Sequence, residues 1–228
     1  LPWLHGRARR QGPHPVIDAM FATTLDCNGR ALVLDRARVV GIVNVTPDSF
    51  SDGGKHADTA SAVAHGVRLA QEGADMLDVG GQSTRPGAAD ISVDEELARV
   101  IPVIEGLVAA TRLPISVDTS KPEVMRAAVA AGAGMINDVY ALRREGALDA
   151  AAELRVPVCL MHMQGEPRMM QDSPRYDDVV GEVHRFLADR MFSCELAGID
   201  KRRVLVDPGF GFGKTLEHNL ALLRATAR

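Results

Sequence analysis

Short apolar runs alternate with amphipathic stretches along most of the chain. The first run, Val39-Val40-Gly41-Ile42-Val43, is too short for a helix and rich in β-branched residues. It predicts a strand over about 38–43, buried on both faces. The chain then breaks into polar and turn-forming residues: Asn44, Thr46, Pro47, Asp48, Ser49, Ser51, Asp52, Gly53 and Gly54, with one aromatic, Phe50. Next, Ala60, Val63, Ala64, Val67 and Ala70 fall on one face of a helix over 59–72. The pattern repeats. Strands are predicted at 75–80, 113–118, 135–139, 156–161 and 204–207. Helices are predicted at 93–110, 122–131, 145–154, 177–197 and from 216 to about 227. Ahead of the first run, Asn28-Gly29 stands between short apolar segments within 23–35, the pattern of a tight β-hairpin.

Strands alternating with helices imply right-handed βαβ units on a parallel sheet. Six units with polar residues at each strand's carboxyl end favour a (β/α)8 TIM barrel over a doubly wound sheet. No GxGxxG follows the first strand, which disfavours a dinucleotide fold. Two of the eight units have no counterpart, so the expected fold is an incomplete barrel with strands 1–6 and a hairpin beneath it. Such a barrel leaves two apolar edge strands open. Residues 1–19 differ in composition and carry no apolar signal core, so they read as an upstream or added segment, mobile. Residues 20–228 read as one domain.

Composition narrows the partners. With 26 Lys and Arg against 30 Asp and Glu, the net charge is −4, which supplies no electrostatic footprint for nucleic acid or an anionic membrane. No apolar run approaches the roughly 20 residues of a membrane span. The three cysteines show no zinc spacing and suit a reducing, cytoplasmic setting.

The strand ends hold the candidate chemistry: Asn44, Asp78, Asp118, Asn137, Met161 and Asp207. Carboxylates converging in one barrel mouth repel and need partners. Asp118 also suits a helix cap before Thr119-Ser120-Lys121. The loop Gly209-Phe210-Gly211-Phe212-Gly213-Lys214 is not a P-loop, because Pro208 stands where the first glycine would be needed. Its glycines mark either close approach of backbone to a ligand or a tight turn. His162 lacks metal-ligand spacing and reads as a structural histidine.

Six strings appear in order: NVTPDSFSDGG (44–54), GGQSTRPG (80–87), ISVDT (115–119), INDV (136–139), CLMHM (159–163) and LVDPGFGFGKT (205–215). Together they resemble the dihydropteroate synthases of bacterial folate synthesis, over nearly all of 21–226. The resemblance implies transfer of a pterin methylene from 6-hydroxymethyl-7,8-dihydropterin pyrophosphate to p-aminobenzoate, giving dihydropteroate and pyrophosphate. It implies Asn44 as a ligand of Mg²⁺, and Asp118, Asn137, Asp207 and Met161 around the pterin. It implies a substrate-binding Thr84 and a catalytic Arg85 in the second loop, Phe50 and Pro86 around p-aminobenzoate, and a catalytic Asp52 supporting positive charge at the methylene. It also implies a homodimer. Two departures stand out. Gln82 replaces the family's usual glutamate, and the family's segments after strands seven and eight have no counterpart, so the chain matches a C-terminally shortened member. Two other readings compete: a methyltetrahydrofolate-dependent methyltransferase of the same barrel type, and a non-catalytic pterin-binding module.

Overall fold

The computed structural model describes residues 23–46, 54–83, 90–165 and 174–226, with backbone alone at 54–58. The segment 1–19 lies outside the described residues. Element order is β1 (Thr23–Cys27), β2 (Arg30–Leu34), β3 (Val40–Asn44), α1 (Gly54–Glu72), β4 (Met76–Gly80), α2 (Val93–Ala110), β5 (Ile115–Asp118) and α3 (Pro122–Ala130). It continues with β6 (Met135–Asp138), α4 (Ala147–Leu154), β7 (Val158–Met161), α5 (Val179–Leu196), β8 (Val204–Asp207) and α6 (Leu216–Ala225).

Strands β3 to β8 form one parallel sheet in strict sequence order, as a (β/α)8-type barrel requires. Among the described residues β3 and β8 do not pair, so the sheet is open. Alternation along each strand separates two faces. Val43, Val79, Val117, Ile136 and Val158 face the helices and form the main core with Ile104 and Leu107 of α2, Met125 of α3 and Ala150 of α4. The other face carries Ile42, Asp78, Ser116, Asp118, Asn137, Met161 and Asp207 toward the barrel axis, as the strand registers require.

The expectation that the first barrel strand is buried on both faces is corrected. Gly41 and Val43 are buried, but Val40 is 43% and Ile42 51% exposed. The cause is position: β3 is an edge strand, and its axis-facing side chains meet a neighbour on one side only. Val206 of β8 is likewise exposed, so the apolar edges expected from the sequence are present.

The hairpin β1–β2 turns at Asn28 (φ 56°) and Gly29 (φ 80°), the left-handed pair of a type I′ turn. It plugs the amino-terminal end of the sheet. Leu25, Cys27 and Leu32 pack on Met76 and Met135, the first residues of β4 and β6. Polar contacts fix the plug. Arg30 donates to the carbonyls of Val108, Thr111 and Leu113 around the end of α2, where a cation also complements the helix dipole. Asn28 Nδ2 donates to the Ala133 carbonyl at 3.2 Å. Asp75 accepts from the Val39 N–H, Arg36 and Arg38, and these, the Val39 N–H first, hold its carboxyl down at about 2.

Candidate active site

The carboxyl ends of the strands bring the expected side chains to one face. Gly80 separates two of them. A Cβ built there would lie 3.5 Å from Asp118 Oδ2 and 3.6 Å from Asn44 Oδ1. A hard amide oxygen from β3 and a carboxylate oxygen from β5 therefore flank the same gap on β4. Asn137 pairs in register with Asp118, and Met161 with Asp207. Asn44, Asp118, Asn137, Met161 and Asp207 thus share the axis-facing surface. Phe50, Asp52, Thr84, Arg85 and Pro86 lie outside the described residues.

Asp118 is not a helix cap. The residue at that position of α3 is Lys121, and no side chain caps the helix there. Burial pushes the Asp118 carboxyl well above its ordinary range, and the charges of Asp78, Asp138 and Glu96 add to the rise. An acid kept in this state gains from an incoming donor or cation.

Asp78 lies beneath Asp118 and Asn137 on the same face. It is 5% exposed and is raised by burial, against hydrogen bonds from Ser116 Oγ and Asn137 Nδ2. Sequence placed it at a strand end but gave it no role. Its neighbours Ser116 and Asn137 lie on two further strands, so only the register brings the three together.

Asp138 points the other way and builds the following turn. Its oxygens accept the N–H groups of Tyr140 and Leu142, both at 2.8 Å. Burial raises it to about 6. These bonds fix the turn in which Ala141 and Leu142 hold positive φ.

Asp207 is tied in part to the loop that follows it. Its Oδ1 accepts the Gly209 N–H at 2.7 Å, closing an Asx turn. Local competition for one oxygen therefore exists, while the carboxylate keeps further lone pairs. Met161 beside it is buried with Val139, Met163, Tyr140 and Phe212, giving an apolar wall at the mouth.

The glycine-rich loop after β8 is shaped by protein, not by a cradle for phosphate. A Cβ on Gly209 would stand 1.9 Å from the His162 carbonyl oxygen, so the two loops touch backbone to backbone. Lys214 turns inward, 4% exposed, and donates to the carbonyls of Gly209, Phe212 and His162. Its ammonium also lies 3.0 Å from His162 Nδ1, which must be neutral to accept. Burial first, then this cation, lower His162 to about 4, and burial lowers Lys214 to about 8. His162 is the structural histidine that the sequence suggested.

A second buried network supports the other side of the mouth. Glu96 of α2 accepts from Thr119 Oγ1 and Lys121 Nζ, and Lys121 also donates to Gln82 Oε1 at 2.6 Å. Gln82 Nε2 in turn donates to Asp90 at 2.5 Å, and Arg144 donates to the same carboxylate. Asp90 explains why an amide is useful at 82, since a glutamate there would face this carboxylate.

An axis-facing row of acids and an amide at the carboxyl ends of sequential parallel strands defines a (β/α)-barrel protein with hydrogen-bond acceptors gathered at its mouth. The family model described as pterin binding enzyme matches residues 40–228. Dihydropteroate synthase of Escherichia coli K12 is 55% identical over 203 residues, covering 89% of this chain and 72% of the relative. The solved Xanthomonas albilineans dihydropteroate synthase with 4-aminobenzoic acid is 70% identical, with a TM-score of 0.84 over 89% of this chain and 72% of that one. The same enzyme with 7,8-dihydropteroate gives 66% identity and a TM-score of 0.78, over 88% of this chain and 71% of that one. The chain belongs to the dihydropteroate synthase family, a family of enzymes.

Among the described residues no helix is long and apolar enough to cross a membrane. No group of three or more His, Cys, Asp or Glu side chains is placed to hold a metal ion there either.

Proposed function

We propose that this chain binds 6-hydroxymethyl-7,8-dihydropterin pyrophosphate and p-aminobenzoate and joins them as dihydropteroate, through the side chains named above. The observation that carries the assignment of residues is the row Asp118, Asn137 and Asp207 on one sheet face, beside Met161. The pterin presents its 2-amino group and ring N–H as a flat donor edge. Carboxylates and an amide oxygen complement that edge, and the thioether of Met161 packs on the ring. Asp118 becomes favourable as an anion when those donors replace lost water.

The reaction needs no protein nucleophile. The bond between the pterin methylene and the pyrophosphate oxygen breaks, and its electron pair leaves with pyrophosphate. The dihydropterin ring delocalises the resulting cation, with Asp52 as its counter-charge. The p-aminobenzoate, its ring enclosed by Phe50 and Pro86, forms the new bond through its amine nitrogen, and the proton that nitrogen loses passes to water. Thr84, which binds substrate, and Arg85, which takes part in catalysis, act from the second loop, the one that carries Pro86.

Asn44 Oδ1 beside the Gly80 gap fits a Mg²⁺ ion, which takes hard oxygen ligands and keeps several waters and phosphate oxygens. Bound there, the ion would offset the charge of departing pyrophosphate. A single protein oxygen suffices for such a site, because phosphates fill the others. We also propose that the enzyme acts in the cytoplasm as a homodimer, which the family resemblance supports.

Calorimetric titration of 6-hydroxymethylpterin into this chain and its Asp207→Asn variant tests the site. The substituted amide keeps the acceptor for the Gly209 N–H but turns a donor toward a donor. Losing a charge-assisted pair should cost on the order of 2–4 kcal/mol of pterin affinity. Equal affinities would remove Asp207 from the site. Release of dihydropteroate and pyrophosphate, assayed together, tests the reaction.

A further inference from the structure

The buried acid Asp78 has no part in the chemistry above. Its environment is nonetheless specific. Both of its oxygens accept side-chain donors, one from Ser116 on β5 and one from Asn137 Nδ2 on β6 at 3.0 Å. The three residues span β4, β5 and β6. An apolar residue would fill this layer more cheaply, since a buried carboxyl loses its water.

We propose that Asp78 is a positioning residue that sets which edge of the Asn137 amide meets the pterin. An asparagine amide is nearly symmetric in shape, and a half-turn exchanges its donor and acceptor. Toward a carboxylate only the N–H edge is attractive. Asp78 therefore pins Nδ2 on its own side and leaves Oδ1 at the opposite corner of the amide. At that corner Oδ1 accepts from a pterin N–H, whereas Nδ2 there would oppose it. Ser116 occupies the second oxygen of Asp78 and keeps that carboxylate from rotating away from Asn137. Specificity for a donor edge is thus set one layer below the surface that touches ligand, by a charge that itself touches none.

The inference rests on the pterin reading of the site, and two measurements separate the two. The first is a double-mutant cycle on 6-hydroxymethylpterin affinity, with Asp78→Asn, Asn137→Ala and the pair. An amide in place of the Asp78 carboxylate can offer either edge, so the amide at 137 is no longer held one way. Asp78→Asn should raise Kd about tenfold, the worth of one buried hydrogen bond turned wrong. In the Asn137→Ala background it should change Kd by less than about twofold, because the residue it acts through is gone. A tenfold loss in both backgrounds, or none in either, would overturn the proposal. The second measurement needs no variant at position 78 and no ligand. The chain has four asparagines, Asn28, Asn44, Asn137 and Asn219. With ¹⁵N-asparagine labelling, and Asn137→Ala to assign the signal, one Asn137 Nδ2 proton should be strongly deshielded and slow to exchange. An Asn137 amide exchanging as fast as an exposed one would also overturn the proposal. Absence of pterin binding by the unaltered chain would refute the site assignment instead.

Discussion

Removing Glu96 should unfold the wall behind Asp118, and removing its partner with it should restore most of the loss. Glu96 is 1% exposed and Lys121 7% exposed, and each is the other's counter-ion. In Glu96→Leu the ammonium of Lys121 stays buried without its counter-ion, and its remaining hydrogen-bond acceptor among the described residues is the Gln82 oxygen. Breaking a buried pair in this way costs about 3–5 kcal/mol. Lys121→Met leaves the carboxylate, among the described residues, with the Thr119 hydroxyl as its remaining donor and should cost a similar amount. In the double variant no buried charge is stranded. Thr119 and Gln82 each lose one partner, at about 1 kcal/mol apiece, and new apolar packing offsets part of that. The double variant should therefore lie about 1–2 kcal/mol below the parent, above either single one. For a chain of 228 residues, the single variants should lower Tm by roughly 10 °C. Urea midpoints at unchanged slope give the free energies directly. A double variant that loses the sum of the two single losses would refute the reasoning, because the residues would then contribute independently.

Three further outcomes follow from other parts of the molecule. His162 titrates near 4 when folded and near 6.5 when unfolded, so between these values only the unfolded chain takes up the proton; stability should fall as pH drops through that window, by about 3 kcal/mol in all. His162→Gln keeps an acceptor for Lys214 and should flatten that part of a urea-midpoint profile; an unchanged profile would assign the acid loss elsewhere. Gly134→Ala would place a Cβ 2.2 Å from the Cys27 carbonyl oxygen, so hydrogen exchange over residues 23–34 should speed up while the sheet stays protected, and unchanged protection would refute the close approach. Asn44→Ala should weaken binding of pterin pyrophosphate in Mg²⁺ more than binding of the bare pterin, and equal losses in calorimetry would make Asn44 purely structural.

Much of the architecture was legible because periodicity reports burial. The helix at 93–110 and the strand at 204–207 match the structure end to end, and the hairpin turn falls at Asn28-Gly29. The first barrel strand was misread on one face, because a run of β-branched residues reports apolarity and not the presence of a neighbouring strand. The convergence of side chains on the axis-facing surface was legible where it follows from strand ends, as with Asp118, Asn137 and Asp207. It was not legible where it depends on register: Asp78 meets Ser116 and Asn137 only across three strands. Lys214 hid for another reason. A lysine in a glycine-rich loop suggests an anion, yet the fold points it at carbonyl oxygens. Gly209 likewise gave a correct sign of close approach, but the partner was the loop after β7 and not a ligand.

The hairpin plug also constrains the order in which the chain can fold. Asn28 reaches a carbonyl 105 residues ahead of it, at Ala133, and Cys27 rests against Gly134. During synthesis the hairpin therefore emerges long before its seat exists. Until β6 has joined the sheet, Leu25, Cys27 and Leu32 have only part of their final surroundings. The remaining strands each pair with the one just before them, so the sheet can grow from its amino end without waiting for distant partners. The plug is thus a late event that reports on early ones: it locks once half of the barrel stands, and a ribosome-bound fragment ending before Met135 should leave it undocked.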